Sequence, residues 1–114
     1  MGIELIHETI RVLQQAGIPA RRGLPAGKIP CITAPVAAVC IEKIEPSIVT
    51  LAVRIYAPAE SGGTACEDAA LQAAQALGQI GAAYQIHNAE FDGKSGLFGI
   101  TVLATFSRVY DPIE

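Results

Sequence analysis

The side chains in this sequence that proteins most often use for catalysis or metal binding are two histidines and three cysteines. His7 lies in a helical pattern, but the residue one turn later is Arg11, which is not a metal ligand. His87 lies in a strand pattern and shares its face with Gln85 and Ala89, again without a carboxylate or a thiol. We therefore expect no metal site at either histidine.

The spacing of the cysteines does not match that of metal ligands either. They are Cys31, Cys40 and Cys66, an odd number, and no two of them are spaced as Cys-x-x-Cys. Cys40 lies in an apolar run, which is typical of a small buried side chain. A nucleophile needs a base close to it in space, and a pair of Cys31 with His87 is the alternative that remains. We expect no catalytic residue, no cofactor and no enzymatic activity.

The segment Gly93-Lys94-Ser95 resembles the end of a phosphate-binding loop. Such a loop also requires a glycine five residues before Gly93, where this sequence has Asn88, and a helix after the lysine. The residues that follow have the pattern of a strand instead. The segment therefore predicts a hairpin turn and not a nucleotide site.

Two segments have the periodicity of amphipathic helices. The first covers residues 3–16, ends before Gly17, and carries the apolar stripe Ile3, Ile6, Ile10 and Leu13. The second runs from about residue 64 to residue 80, and Thr64 with Glu67 fits a capping box at its start. Its apolar face is Cys66, Ala70, Ala73, Leu77 and Ile80.

Four further segments have strand patterns, at residues 36–44, 48–57, 83–91 and 97–110. One turn sequence lies between the first and second segments, and another lies between the third and fourth. Each of these two pairs therefore predicts a hairpin. The chain order is then helix, hairpin, helix, hairpin. We predict an α+β fold, a single domain over residues 1–114, with a four-stranded, mainly antiparallel sheet and both helices on one face.

A long loop is predicted between the first helix and the first strand. Residues 17–35 contain four prolines and three glycines and show no periodicity. Loops of this length in a small domain are usually functional or disordered. Two interpretations remain, a flexible connector or a segment that becomes ordered on a partner.

The charge is unevenly distributed. The net charge of −3 argues against a general nucleic-acid binder. Residues 1–41 nevertheless carry a net charge of +2, and residues 42–114 carry −5. This is either ordinary surface scatter or a basic segment that meets an acidic face on a neighbouring copy. The candidate contacts are Arg21, Arg22 and Lys28 with Glu42, Glu45 and Glu90.

The N-terminus and the apolar runs of the sequence bear on the cellular location of the protein. The N-terminus lacks a basic region followed by an apolar stretch, so we expect no signal peptide. No uninterrupted apolar run reaches the ~18 residues that a membrane span needs. We expect a soluble, cytoplasmic protein that does not bind membranes.

Three stretches together resemble a known family. They are VTLAVRIYAP, GGTACEDAALQAAQAL and AEFDGKSGLFGITVLATF. Their arrangement is similar to small tail proteins of long-tailed phages and prophages, of the tail-terminator or minor tail type, over about residues 35–110. The family has no catalytic signature, so no individual residue role is transferred.

The resemblance implies a structural role. Tail terminators form a ring, commonly a hexamer, on the finished tail tube and offer a surface to head-completion proteins. The partners would then be copies of the chain itself, tail-tube proteins and head-completion proteins, in the host cytoplasm and in the virion tail of an active prophage. The alternative is a small cytosolic ligand-binding or regulatory α+β domain that acts as a dimer.

Overall fold

The computed structural model describes residues 2–23, 35–93 and 96–107. Its elements, in chain order, are helix α1 (Gly2–Gln15), strands β1 (Ala20–Arg22), β2 (Val36–Ile44) and β3 (Ile48–Pro58), a short 3-10 turn (Ala59–Ser61), helix α2 (Gly62–Gln79), and strands β4 (Ala83–Ile86), β5 (Glu90–Asp92) and β6 (Leu97–Ser107). The α+β class predicted from the sequence is confirmed.

The described strands form one mixed sheet of six strands, so the prediction of four was wrong. The order is β1-β2-β3-β6-β4, and β5 also pairs with β6. Every pairing is antiparallel except that of β1 with β2, which is parallel. Because β3 lies along one edge of β6, β4 and β5 share its other edge. The sheet therefore ends in β1 on one side and in β4 and β5 on the other.

The first additional strand lies in the segment that was predicted to be a loop. Ala20–Arg22 is held by the neighbouring backbone of β2, where the Ala37 N–H donates to the Pro19 carbonyl and the Gly23 N–H donates to the Val39 carbonyl, both at 2.8 Å. Three residues are too few to show a strand pattern in the sequence. Residues 24–34 of the predicted loop, with Lys28 and Cys31, lie outside the described residues.

The second additional strand arises because the predicted strand 83–91 is broken. Residues 87–89 separate β4 from β5, although the His87 N–H still donates to the Thr101 carbonyl at 2.9 Å. The hairpin that joins β5 to β6 agrees with the predicted turn, and a strand rather than a helix follows it. Lys94, Ser95 and residues 108–110 of the predicted last strand lie outside the described residues.

The core lies between both helices and one face of the sheet. The predicted alternation of β3 is confirmed, since Val49, Leu51, Val53 and Ile55 are all fully buried. In β6 the same face carries Ile100, Val102, Ala104 and Phe106. From the helices, the core receives Ile6, Leu13, Cys66, Ala70, Ala73 and Leu77. The alanines let α2 approach the sheet closely, and each large buried aliphatic side chain stabilises the fold by roughly 1.5–3 kcal/mol.

Both helices end in the same glycine-dependent motif. At the end of α2, the Ala82 N–H donates to the Leu77 carbonyl and the Gly81 N–H to the Gly78 carbonyl, each at 3.1 Å. Gly81 has a φ of 92°, which the motif requires and side chains disfavour. Gly17 has a φ of 90° and ends α1 in the same way, as predicted.

The start of α2 differs from the prediction. The helix begins at Gly62, directly after the 3-10 turn, so Thr64 already lies in its first turn. A capping residue needs a non-helical backbone, and the predicted capping box of Thr64 with Glu67 is therefore wrong. The apolar face of α2 is as predicted, with Ile80 half-buried just beyond its end.

Two alanine substitutions three residues apart should have opposite effects on stability. Gly81→Ala places a side chain at a φ of 92° and should cost about 1–2 kcal/mol of unfolding free energy. Gly78→Ala lies inside the helix, where the added Cβ would meet the Tyr84 ring at an ordinary 3.7 Å, and should add about 0.5–1 kcal/mol. Urea unfolding measures both, and equal effects of the two substitutions would contradict this helix end.

Candidate functional site

The side chains with catalytic potential lie on separate elements. His7 is exposed on α1, Cys40 is exposed on β2, and His87 is exposed between β4 and β5. Within residues 2–23, 35–93 and 96–107, no group of three His, Cys, Asp or Glu side chains is placed to hold a metal ion. The same ranges contain no helix long and apolar enough to cross a membrane.

Cys66 is a core side chain. Its thiol is fully buried and donates a hydrogen bond to the Ile55 carbonyl oxygen at 3.6 Å. Burial raises the pKa of the Cys66 thiol to about 11, and the negative charge of Glu67 adds to the increase. The protonated thiol is a poor nucleophile at neutral pH, so Cys66 contributes packing rather than reactivity.

Exposed charged and apolar side chains lie at the two edges of the sheet. We use the name basic edge for Arg21 and Arg22 of β1. Arg21 is paired with Ala38, and Arg22 is paired with Val39, so the two side chains point to opposite faces of the sheet. Both are exposed. Among the described residues, neither has an acidic partner.

At the opposite edge, apolar side chains are exposed where α2 meets β4 and β5. We call this set the apolar strip. It comprises Leu71, Tyr84, Ile86 and Phe91, which are 49%, 47%, 39% and 55% exposed. The register pairs Tyr84, Ile86 and Phe91 with the core-facing residues of β6, so all three point to the helical side of the sheet.

The contacts of α2 place Leu71 beside those strand residues. A Cβ on Gly63 would lie 3.7 Å from the Phe98 ring, and a Cβ on Gly78 would lie 3.7 Å from the Tyr84 ring. Leu71 falls between these two glycines on the same side of the helix. Phe91 packs on Phe98 with ring centroids 5.1 Å apart. The apolar strip therefore follows the edge of the sheet along α2.

Acidic side chains border the apolar strip, and Glu67 and Glu90 are two of them. Glu90 lies on β5 and is paired with Gly99, so it points to the sheet face away from the helices. Glu67 lies one turn before Leu71 on the same side of α2. Both are exposed. We call Glu67 and Glu90 the acidic flank.

The other predicted contact residues are placed differently. Glu42 lies at a bulge in β2, and Glu45 begins the turn into β3, where it is 3.8 Å from Lys43. Both acids therefore lie near the end of β2, the strand that neighbours the basic edge. Of the three predicted acids, Glu90 alone lies at the far edge of the sheet. Lys28 lies outside the described residues.

Two depressions are present in the described surface. A groove of about 580 Å³ between the helices is lined mainly by polar side chains, among them Gln15, Gln72, Gln75 and Gln79. A notch of about 180 Å³ on the sheet face is lined by Arg54, Tyr56 and Glu90 together with residues of β5 and β6. The Arg54 guanidinium carbon lies 6.0 Å from the centre of the Tyr56 ring.

The comparisons with models of known protein families, with curated proteins and with solved structures find no match. The likeness to tail proteins therefore rests on the residues quoted above.

The sequence interpretation did not identify the apolar strip. Tyr84 and Ile86 share a face in any strand. Leu71 lies off the apolar face of α2, so the helical pattern did not group it with these two residues. The usable signal was the composition of residues 83–92, AYQIHNAEFD, which contains no lysine, arginine or proline.

The cysteines should differ sharply in reactivity. In a Cys31→Ser background at pH 8, a disulfide reagent such as DTNB should modify one thiol of the native protein, because Cys40 is exposed and Cys66 is buried with a pKa of about 11. Cys66 should react only after denaturant is added. As controls, Cys40→Ala should abolish the native reaction and Cys66→Ala should leave it unchanged. Rapid modification of two thiols in the native state would show that Cys66 is accessible.

Proposed function

We propose that the chain is a structural tail protein that assembles with copies of itself, head to tail, into a ring at the end of a phage or prophage tail tube. The observation that carries the proposal is the position of the basic edge and of Glu90 at opposite edges of one sheet.

These opposite charges are too far apart to pair within one subunit. The strands β2, β3 and β6 separate β1 from β5, which makes four inter-strand spacings. At about 4.8 Å each, the two strands lie about 19 Å apart. An ion pair needs a separation of 4 Å or less, so Arg21 or Arg22 can meet Glu90 only in a second copy.

Contacts between different patches have a defined outcome. A head-to-tail contact repeats with a fixed rotation, and it gives a ring when the rotation closes or a filament when it does not. A ring suits a protein that ends a tube, and this is the role that the family resemblance implies. Tail-tube and head-completion proteins are the proposed partners on the two faces of such a ring.

Charge reversal at the basic edge tests self-assembly. Arg21→Glu with Arg22→Glu should weaken association by about tenfold or more at low salt, because two partly exposed ion pairs of roughly 0.7 kcal/mol each are lost and repulsion is added. The difference should shrink at high salt. Light scattering at both salt concentrations measures the mass. Arg11→Glu with Lys43→Glu makes the same charge change at exposed positions outside the basic edge and away from Glu90, and should have little effect.

Electron microscopy tests the tail role. The purified protein should form rings, or should cap tubes when it is mixed with a tail-tube protein.

In the light-scattering experiment, an unchanged mass of the charge-reversed variant at low and high salt would rule out the basic edge as a contact. A strict monomer that binds a metabolite would instead favour the ligand-binding alternative.

A further inference from the structure

We infer that the apolar strip is the centre of the interface between copies, and that the basic edge of the next copy covers it. This inference rests on the proposed function, and it assigns the surface and the partner residues of the assembly. It is carried by exposed apolar groups, an unprotected sheet edge and a matching charge pattern.

The exposure of the apolar strip is the first reason. Four large apolar side chains, two of them aromatic, follow one edge of a domain that has only six aromatic residues. The fully buried centre of a protein interface is typically rich in aromatic side chains and is bordered by polar groups. The apolar strip with its acidic flank has this composition.

The backbone at this edge is the second reason. Among residues 2–23, 35–93 and 96–107, β4 and β5 pair only with β6, so their other side presents backbone hydrogen-bonding groups. Proteins usually protect such edges with lysine, proline or inward-pointing charge. Residues 83–92 contain no lysine, arginine or proline. The edge is therefore open to a strand or an extended segment of another chain.

The charge pattern identifies the occupant. The acidic flank calls for a cationic partner, and aromatic faces such as those of Tyr84 and Phe91 favour arginine over lysine. The far edge of the same sheet presents two adjacent, exposed arginines on a short strand. A second copy of this chain therefore supplies the group that this surface fits.

The same charges disfavour a symmetric contact of two parallel apolar strips. In such a contact, the residue pairs repeat in both directions, and the two acidic flanks, which both lie toward the β5 end of the strip, would meet. Like charges brought together at an interface cost binding free energy. A head-to-tail contact avoids this cost, because each acidic flank meets a basic edge.

Leu71→Lys tests the inference with little risk to the fold. Leu71 is half-exposed on α2, and lysine and leucine have similar helix propensity. The matched control is Ile44→Lys, since Ile44 is 54% exposed and lies at the end of β2, outside the apolar strip. Phe91→Lys is a second variant at the strip. Sedimentation measures association, and urea unfolding confirms that each variant is folded.

We expect Leu71→Lys and Phe91→Lys to weaken association about tenfold or more, and Ile44→Lys to change it by less than about twofold. If the unmodified protein assembles and charge reversal at the basic edge weakens it, but Leu71→Lys does not, the inference is overturned and the proposed function stands. Equal losses in Leu71→Lys and Ile44→Lys would also overturn it. A protein that stays monomeric throughout would overturn both.

Discussion

The pairing of β3 with β6 is the contact on which the rest of the molecule depends. The two strands are aligned along their whole length, from Ile48 opposite Ser107 to Pro58 opposite Leu97. One face of this pair supplies most of the sheet's share of the core, and α2 packs directly on it. Because β3 and β6 occupy the centre, β2 and β1 must lie on one side and β4 and β5 on the other. The separation of the basic edge from the apolar strip follows from this pairing.

The composition explains why assembly would stabilise such a domain. A chain of 114 residues buries only about 60–70% of its unfolded surface, and here much of the core is alanine, which contributes little area per residue. The large side chains of the apolar strip remain half-exposed at the edge. Covering them with a second copy adds apolar burial that a small alanine-rich core cannot supply alone. In the proposed assembly, the charges at the two edges determine which surfaces meet.

The sequence predicts those elements whose pattern is set by their own residues. The apolar stripe of α1, the alternation in β3 and β6, and the glycines after both helices each follow from local periodicity or backbone geometry. Elements that depend on a neighbour were missed. β1 exists because β2 hydrogen-bonds to it, and the break between β4 and β5 is not visible in the apolar pattern. Thr64 with Glu67 fitted a capping motif, but the preceding 3-10 turn starts the helix earlier.

In the candidate site too, local sequence predicts some features, and others depend on contacts between distant elements. The arginines and Glu90 were identified from charge alone, whereas their position at opposite edges needed the strand order. Leu71 lies at that edge only because α2 packs against β4 and β6, which is a tertiary contact that no local pattern encodes.

The most direct test of the proposed head-to-tail contact is a mixing experiment with two charge-swapped variants. One is Arg21→Glu with Arg22→Glu, and the other is Glu67→Lys with Glu90→Lys.

Each variant alone should associate more weakly than the unmodified protein, because its two edges carry the same sign of charge. An equimolar mixture should assemble with alternating subunits, since every interface then joins opposite charges. Analytical ultracentrifugation with one variant fluorescently labelled measures the co-assembly. A mixture that stays dissociated while the unmodified protein assembles would contradict a contact between these two edges.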